Sequence, residues 1–185
     1  MKKIILGFAG PLSSGKGTVC QYLKEKYKAG VYRFSTILRD VADRLYLEQS
    51  RNNLQNLSQT LRETFGQDLL AAAIAKDVGN DKNPIIAIDG IRREPDIEYL
   101  KNLPGFHLVY IIADQKIRWQ RMVKRGENTD DKQKTLEQFA KDEQGEAERQ
   151  ISKVAQKAKF KIDNNGNLDQ LYQQIENILK KINES

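Results

Sequence analysis

Apolar residues along the chain fall into short unbroken runs, separated by longer stretches with a helical period. The runs are Lys3–Ala9, Val31–Phe34, Ile85–Asp89, His107–Ile112 and Phe160–Asp163, and their length and isoleucine content predict buried parallel strands. Between them, Thr18–Tyr27 puts Val19, Leu23 and Tyr27 on one helical face. Ser35–Val78 is helical throughout, with breaks at Gln49–Asn53 and at Gly66. Asp114 stands as an N-cap before Gln115–Lys124, and Thr135 with Gln138 spells a capping box. In the last helix Leu168, Leu171, Tyr172, Ile175, Ile178, Leu179 and Ile182 form one core-facing stripe. Strand alternating with helix predicts an α/β fold: three layers, a five-stranded parallel sheet with helices on both faces. Ligands bind such sheets at the carboxyl ends of the strands. The segments to watch are therefore Gly10–Lys16, Ser35–Arg39, Asp89–Arg93, Ala113–Asp114 and Asn164–Gly166.

Composition narrows this picture only a little. The 185 residues carry a net charge of +6, which suits anionic ligands. Lys and Arg are spread along the chain rather than massed in a tail, so the charge lends no support to a nucleic-acid partner. The lone cysteine, Cys20, has no disulfide partner in the chain and sits at a core-facing spacing, which fits a reducing, cytoplasmic setting. No segment has the length of a membrane span. The opening MKKIILGFAG is read as a first strand rather than a signal sequence, because its apolar run is brief and leads straight into glycines. His107, the only histidine, has no cluster of metal ligands around it in sequence.

The chemistry begins after the first strand. GPLSSGKGT, residues 10–18, matches the phosphate-loop pattern in Gly10, Gly15 and Lys16. Inward-turned N–H groups and the start of the next helix make a nest for phosphates, with Ser13 and Ser14 small enough for close approach. Lys16 can reach the β- and γ-phosphates of ATP and follow the transferring charge. Gly17 occupies the place where a hydroxyl would touch Mg²⁺, and Thr18 follows one position late. The ion then keeps more of its water and leans on the phosphates and, through water, on Asp89. Phosphoryl transfer also calls for cations converging from separate elements. Arg39, Arg92 and the row Arg118, Arg121 and Arg125 are the candidates, the last three sharing a helical face. That row runs into RGENTDDKQK, a polar segment with one glycine and no apolar anchor, as expected of a mobile lid.

These residues resemble the nucleoside monophosphate kinases of the adenylate and cytidylate kinase type, with dephospho-CoA kinases as close relatives. The loop Gly10–Thr18 has their G-x-x-x-x-G-K-G-T form, which implies Gly10, Ser13, Ser14, Gly15, Lys16, Gly17 and Thr18 around ATP and Thr18 with Asp89 toward Mg²⁺. RFSTILRDVA, residues 33–42, is similar to their acceptor-binding segment and implies Ser35, Thr36 and Arg39 on the acceptor. DGIRR, residues 89–93, adds Arg92 or Arg93. RMVKR, residues 121–125, matches an arginine pair at the lid entrance, and FKIDNNGNLDQL, residues 160–171, resembles a closing turn near adenine, which implies Asn164 and Gly166. Two departures stand out. The acceptor segment lacks the usual Gly-Asp, and Leu136, Glu137 and Gln138 replace the arginines expected after Thr135, so lid closure falls to Arg121, Arg125 and Arg149. The resemblance implies a P-loop kinase fold with a core of residues 1–34, 79–124 and 136–185, a helical acceptor-binding insertion at 35–78 and a lid at 125–135. It implies an ATP- and Mg²⁺-dependent kinase acting on a nucleoside or deoxynucleoside monophosphate, with Lys16, Asp89, Arg121 and Arg125 at the reacting centre. Dephospho-CoA is the alternative acceptor, and an ATPase or switch without an acceptor is the alternative of another class. Small-molecule nucleotides are the expected partners, with neither nucleic acid nor membrane; oligomeric state is not legible.

Overall fold

The computed structural model describes residues 3–144 and 146–184, without the side chains of 146–149. Its five strands are β1 (Ile4–Ala9), β2 (Gly30–Arg33), β3 (Ile85–Ile91), β4 (Phe106–Ile112) and β5 (Phe160–Asp163). All pair in parallel, in the order β2-β3-β1-β4-β5. The helices are α1 (Lys16–Tyr27), α2 (Phe34–Arg44), α3 (Arg51–Phe65), α4 (Leu69–Asn80), α5 (Glu94–Leu100), α6 (Gln115–Arg125), α7 (Leu136–Asp142), α8 (Glu146–Gln156) and α9 (Leu168–Asn183). A short 3₁₀ turn, Asp131–Gln133, lies between α6 and α7. No described helix is long and apolar enough to cross a membrane.

Alternation along β1 divides the core. Ile4, Leu6 and Phe8 face α1 and α9, where Val19, Leu23, Leu171, Ile175 and Ile178 complete one apolar layer. Ile5 and Ala9 face the opposite side, against Leu38, Ala42, Leu70, Ile74, Ile97 and Val154. Both faces of the sheet are therefore dry, which is why its strands read as continuous apolar runs rather than alternating ones. Cys20 is buried in the first layer, and burial pushes its thiol well above the ordinary range.

Two details depart from the sequence pattern. Leu168 is not part of the core stripe: it is 56% exposed, at the mouth of the cleft described below. Asp114 holds the N-cap position of α6 without a side-chain cap, whereas Thr135 and Gln138 form the full capping box on α7.

Candidate active site

The central strand ends in a tight turn that only glycine permits. Gly10 has φ +148°, and a Cβ there would lie 2.1 Å from the carbonyl oxygen of Ile111. Gly15 has φ +112°, and its Cβ would meet the Asn164 amide at 2.2 Å. Between them the buried hydroxyls of Ser13 and Ser14 have no hydrogen-bond partner, as suits a cradle for phosphate oxygens. The α1 N-terminus opens onto the same space. Lys16 Nζ donates to the carbonyls of Gly10 and Pro11 at 2.7 and 2.8 Å.

A cleft of about 760 Å³ runs from this loop to the α2–α3 helices. Among the sequence-chosen residues, Ser13–Thr18, Ser35, Arg39, Asp89, Arg92, Arg93, Arg121, Arg125 and Asn164 line it. Thr36 does not. Because α2 begins at Phe34, Ser35 and Arg39 are four apart on the cleft face, and Thr36 is turned outward and exposed. Gly166 is also elsewhere: it borders a shallow depression with Asp163, Gln170 and Gln174, on the far side of the turn. Asn164 reaches the loop as a brace. Its amide nitrogen donates to the Ser14 carbonyl at 2.8 Å, so its side chain supports the phosphate cradle from beneath.

The arginine row divides into two functions. Arg118 is buried and donates from Nε to Ala113 O at 2.8 Å and from a guanidinium NH to Leu12 O at 3.2 Å, with Glu143 as ion-pair partner. It holds the loop from behind. Arg121 donates to the Asn164 carbonyl at 3.0 Å, while its other terminal nitrogen is buried with no partner. Burial alone depresses its pKa, with no carboxylate offsetting it. Arg125 lies 3.0 Å from Glu127.

Opposite the loop the structure assembles residues that sequence reading missed. Arg33 and Asp89 are register partners of β2 and β3, and their side chains pair at 3.3 Å. Glu127 bonds to Arg33 and lies 3.5 Å from Arg39; burial works against its charge, but the bond from Arg33 and the charges of Arg33, Arg125 and Arg39 hold its carboxyl below the ordinary range. Arg39 also donates to Gln49 at 2.7 Å and to Asn128 at 2.9 Å. The 126–135 segment makes polar contacts with both sides of the cleft. Asp131 is fully buried and pairs with Arg51 at 3.0 Å, Thr129 bonds Glu48 at 2.7 Å, and the Trp119 indole donates to Lys134 O at 2.8 Å. Its anchors are polar, which is why an apolar count found none. The Arg149 side chain lies outside the described ones. Deeper along the cleft, buried Arg62 pairs with buried Asp96 at 2.9 Å. The described residues hold no cluster of three metal-ligating side chains. A Mg²⁺ ion would fit as a companion of phosphates, with Asp89 and Thr18 beside the loop to hold its water.

A parallel sheet in this order, with an anion-receiving glycine loop after its central strand, defines a P-loop protein of the kinase type. The sequence profile of the family described as an AAA domain matches residues 9–140, and the chain belongs to that family. It is 28% identical over 179 residues to a UPF0200 protein of Sulfurisphaera tokodaii, covering 96% of this chain and 97% of that one. A UPF0200 protein of Methanococcus maripaludis is 26% identical over 180 residues, covering 96% of this chain and 97% of its own. Among solved structures, shikimate kinase from Bacteroides thetaiotaomicron superposes with a TM-score of 0.64 at 10% identity, covering 97% of this chain and 98% of that one. Shikimate kinase from Acinetobacter baumannii, in complex with shikimate, gives 0.56 at 17% identity over 97% and 94% of the two chains. At these identities the likeness concerns the fold alone.

Proposed function

We propose that the protein is an ATP- and Mg²⁺-dependent kinase whose acceptor is nucleotide-like, foremost a nucleoside or deoxynucleoside monophosphate. The observation that carries this reading is the continuity of the cleft: one space joins the phosphate loop to a second wall bearing Arg39, Arg92 and Arg93. A nucleotide hydrolase has no use for that second wall. In the proposed complex the loop amides and the α1 N-terminus hold the β- and γ-phosphates, and Lys16 exchanges the Gly10 and Pro11 carbonyls for phosphate oxygens. Bound Mg²⁺ would neutralise charge on those phosphates. Arg121, with its unpartnered nitrogen, and Arg125 would close over the transferring group. Ser35, Arg39 and Arg92 or Arg93 would seat the acceptor, and residues 125–135 would act as the lid.

One observation favours a second acceptor type. Asp89, held by Arg33 beside the loop, is a carboxylate suited to orienting a hydroxyl, as phosphorylation of dephospho-CoA requires. An ADP-release assay across ribo- and deoxynucleoside monophosphates and dephospho-CoA decides between them. Turnover that requires a monophosphate is the expected result. Turnover indifferent to every acceptor replaces the kinase with an ATPase.

A further inference from the structure

Arg33, Arg39 and Arg125 come from three different elements, yet all converge on one carboxylate, that of Glu127. That carboxylate is not fixed to the wall bearing Arg33 and Arg39. It belongs to the segment after α6, one residue beyond Gly126, which caps that helix at φ +56° with its N–H on the Met122 carbonyl. The same segment is tied to the acceptor side by Asn128 on Arg39, Thr129 on Glu48 and Asp131 on Arg51. Three cations facing the cleft thus share one carboxylate of the polypeptide itself, in the position where an anionic acceptor would have to lie.

We propose that Glu127 is a specificity-determining residue: an internal anion that occupies the arginine cluster until a phosphate group of higher charge displaces it. The proposal rests on the kinase reading above and narrows its acceptor to a phosphomonoester. A carboxylate brings one charge and two oxygens to three guanidinium groups. A phosphomonoester brings about 1.5–2 charges and three oxygens at neutral pH. Exchange is favourable for the dianion and close to neutral for a singly charged group, so Glu127 excludes small carboxylates by competing with them on equal terms. Displacement releases Glu127 from its arginines, and Trp119, the only tryptophan, reports on the same segment through its bond to the Lys134 carbonyl.

The test uses the full-length protein without ATP, titrated calorimetrically at constant ionic strength with inorganic phosphate and, separately, with acetate. Tryptophan fluorescence is followed in parallel. The wild type is expected to bind phosphate with a change in fluorescence and to ignore acetate. Glu127→Gln is expected to bind phosphate at least ten-fold more tightly, to accept acetate, and to show the altered fluorescence before any anion is added. Combining Glu127→Gln with Arg39→Gln is expected to abolish the gain, which separates this cluster from the phosphate loop. Glu127→Asp, with the charge kept and the reach shortened, falls between. Thermal unfolding establishes that each variant is folded. Equal or weaker phosphate binding by Glu127→Gln overturns the proposal, as does acetate binding by the wild type. Acceptor-dependent ADP release that persists beside either result leaves the kinase standing and removes only the internal anion. Loss of all turnover beside a tightened Glu127→Gln removes the kinase instead.

Discussion

The two ends of the cleft are built by different means. At the phosphate loop the groups that receive the ligand are backbone N–H groups, two hydroxyls and one lysine, all within residues 10–18. At the other end they are side chains from β2, α2, α3, β3, α6 and the 126–135 segment, locked into ion pairs with Asp89, Glu127 and Asp131. The first end is local, and its lysine is held by backbone carbonyls rather than by a carboxylate from a distant element. The second is assembled from distant parts and arrives already paired with carboxylates. Under the kinase reading proposed above, nucleotide binding is general while acceptor choice is set by competition among charges.

Substitutions can break this contrast at several depths. Arg62→Ala strands the buried carboxylate of Asp96, whose pKa burial already raises despite Arg62. It is expected to cost about 3–5 kcal/mol in urea unfolding. A loss under 1 kcal/mol would mean that the acceptor side does not depend on its ion pairs. Lys16→Ala is expected to lower kcat by about 10²–10³-fold, the scale of one lost oxyanion donor, with acceptor affinity and unfolding midpoint unchanged. A large fall in midpoint would deny the loop its independence. Arg39→Gln removes a charged hydrogen bond worth about 1.5–3 kcal/mol, so acceptor KM should rise by about ten-fold or more while ATP KM holds.

Asp131 tests the 126–135 segment through pH. Its folded-state pKa is lowered, because the Asn128 N–H and Arg51 outweigh burial. Its contribution is therefore present above the unfolded value of about 3.9 and lost as pH falls through the folded one. Asp131→Asn should destabilise by about 1–3 kcal/mol near neutrality, and the gap from wild type should close in acid unfolding titrations. The smallest effect belongs to Thr36→Ala, which should change stability by less than about 0.5 kcal/mol and leave acceptor KM alone. A raised KM would return Thr36 to the site.

The same contrast explains what could be read in advance. The five strands, the break at Gly66 and the phosphate loop are written in contiguous residues, and each appears in the structure within a residue or two of its place in the pattern, whereas the break expected at Gln49–Asn53 falls earlier, between Arg44 and Arg51. Thr36 came with Ser35 and Arg39 from the resemblance rather than from a helical face, and one step along α2 turns it about 100° from Ser35, outside the cleft. Ser35, expected beside it, does line the cleft. Arg33 was hidden inside an expected strand, although its register with Asp89 brings it to the ligand edge of the sheet. Glu127 had no local signature at all: it is one acid in RGENTDDKQK, and only the distant Arg33 and Arg39 distinguish it. Leu168 fits the stripe of α9 but lies in the first turn, beyond the edge of the sheet that the rest of the stripe covers.

The neighbouring places of Arg33 and Asp89 bear on the order in which the molecule is made. The two meet only when β2 lies against β3, and the whole of α2, α3 and α4 must be gathered between them first. The phosphate loop waits on longer closures still, because Arg118 reaches Leu12 and Asn164 reaches Ser14 only once β4 and β5 are in place. Both ends of the cleft therefore wait on contacts between residues far apart in the chain. Only the finished protein brings the two together.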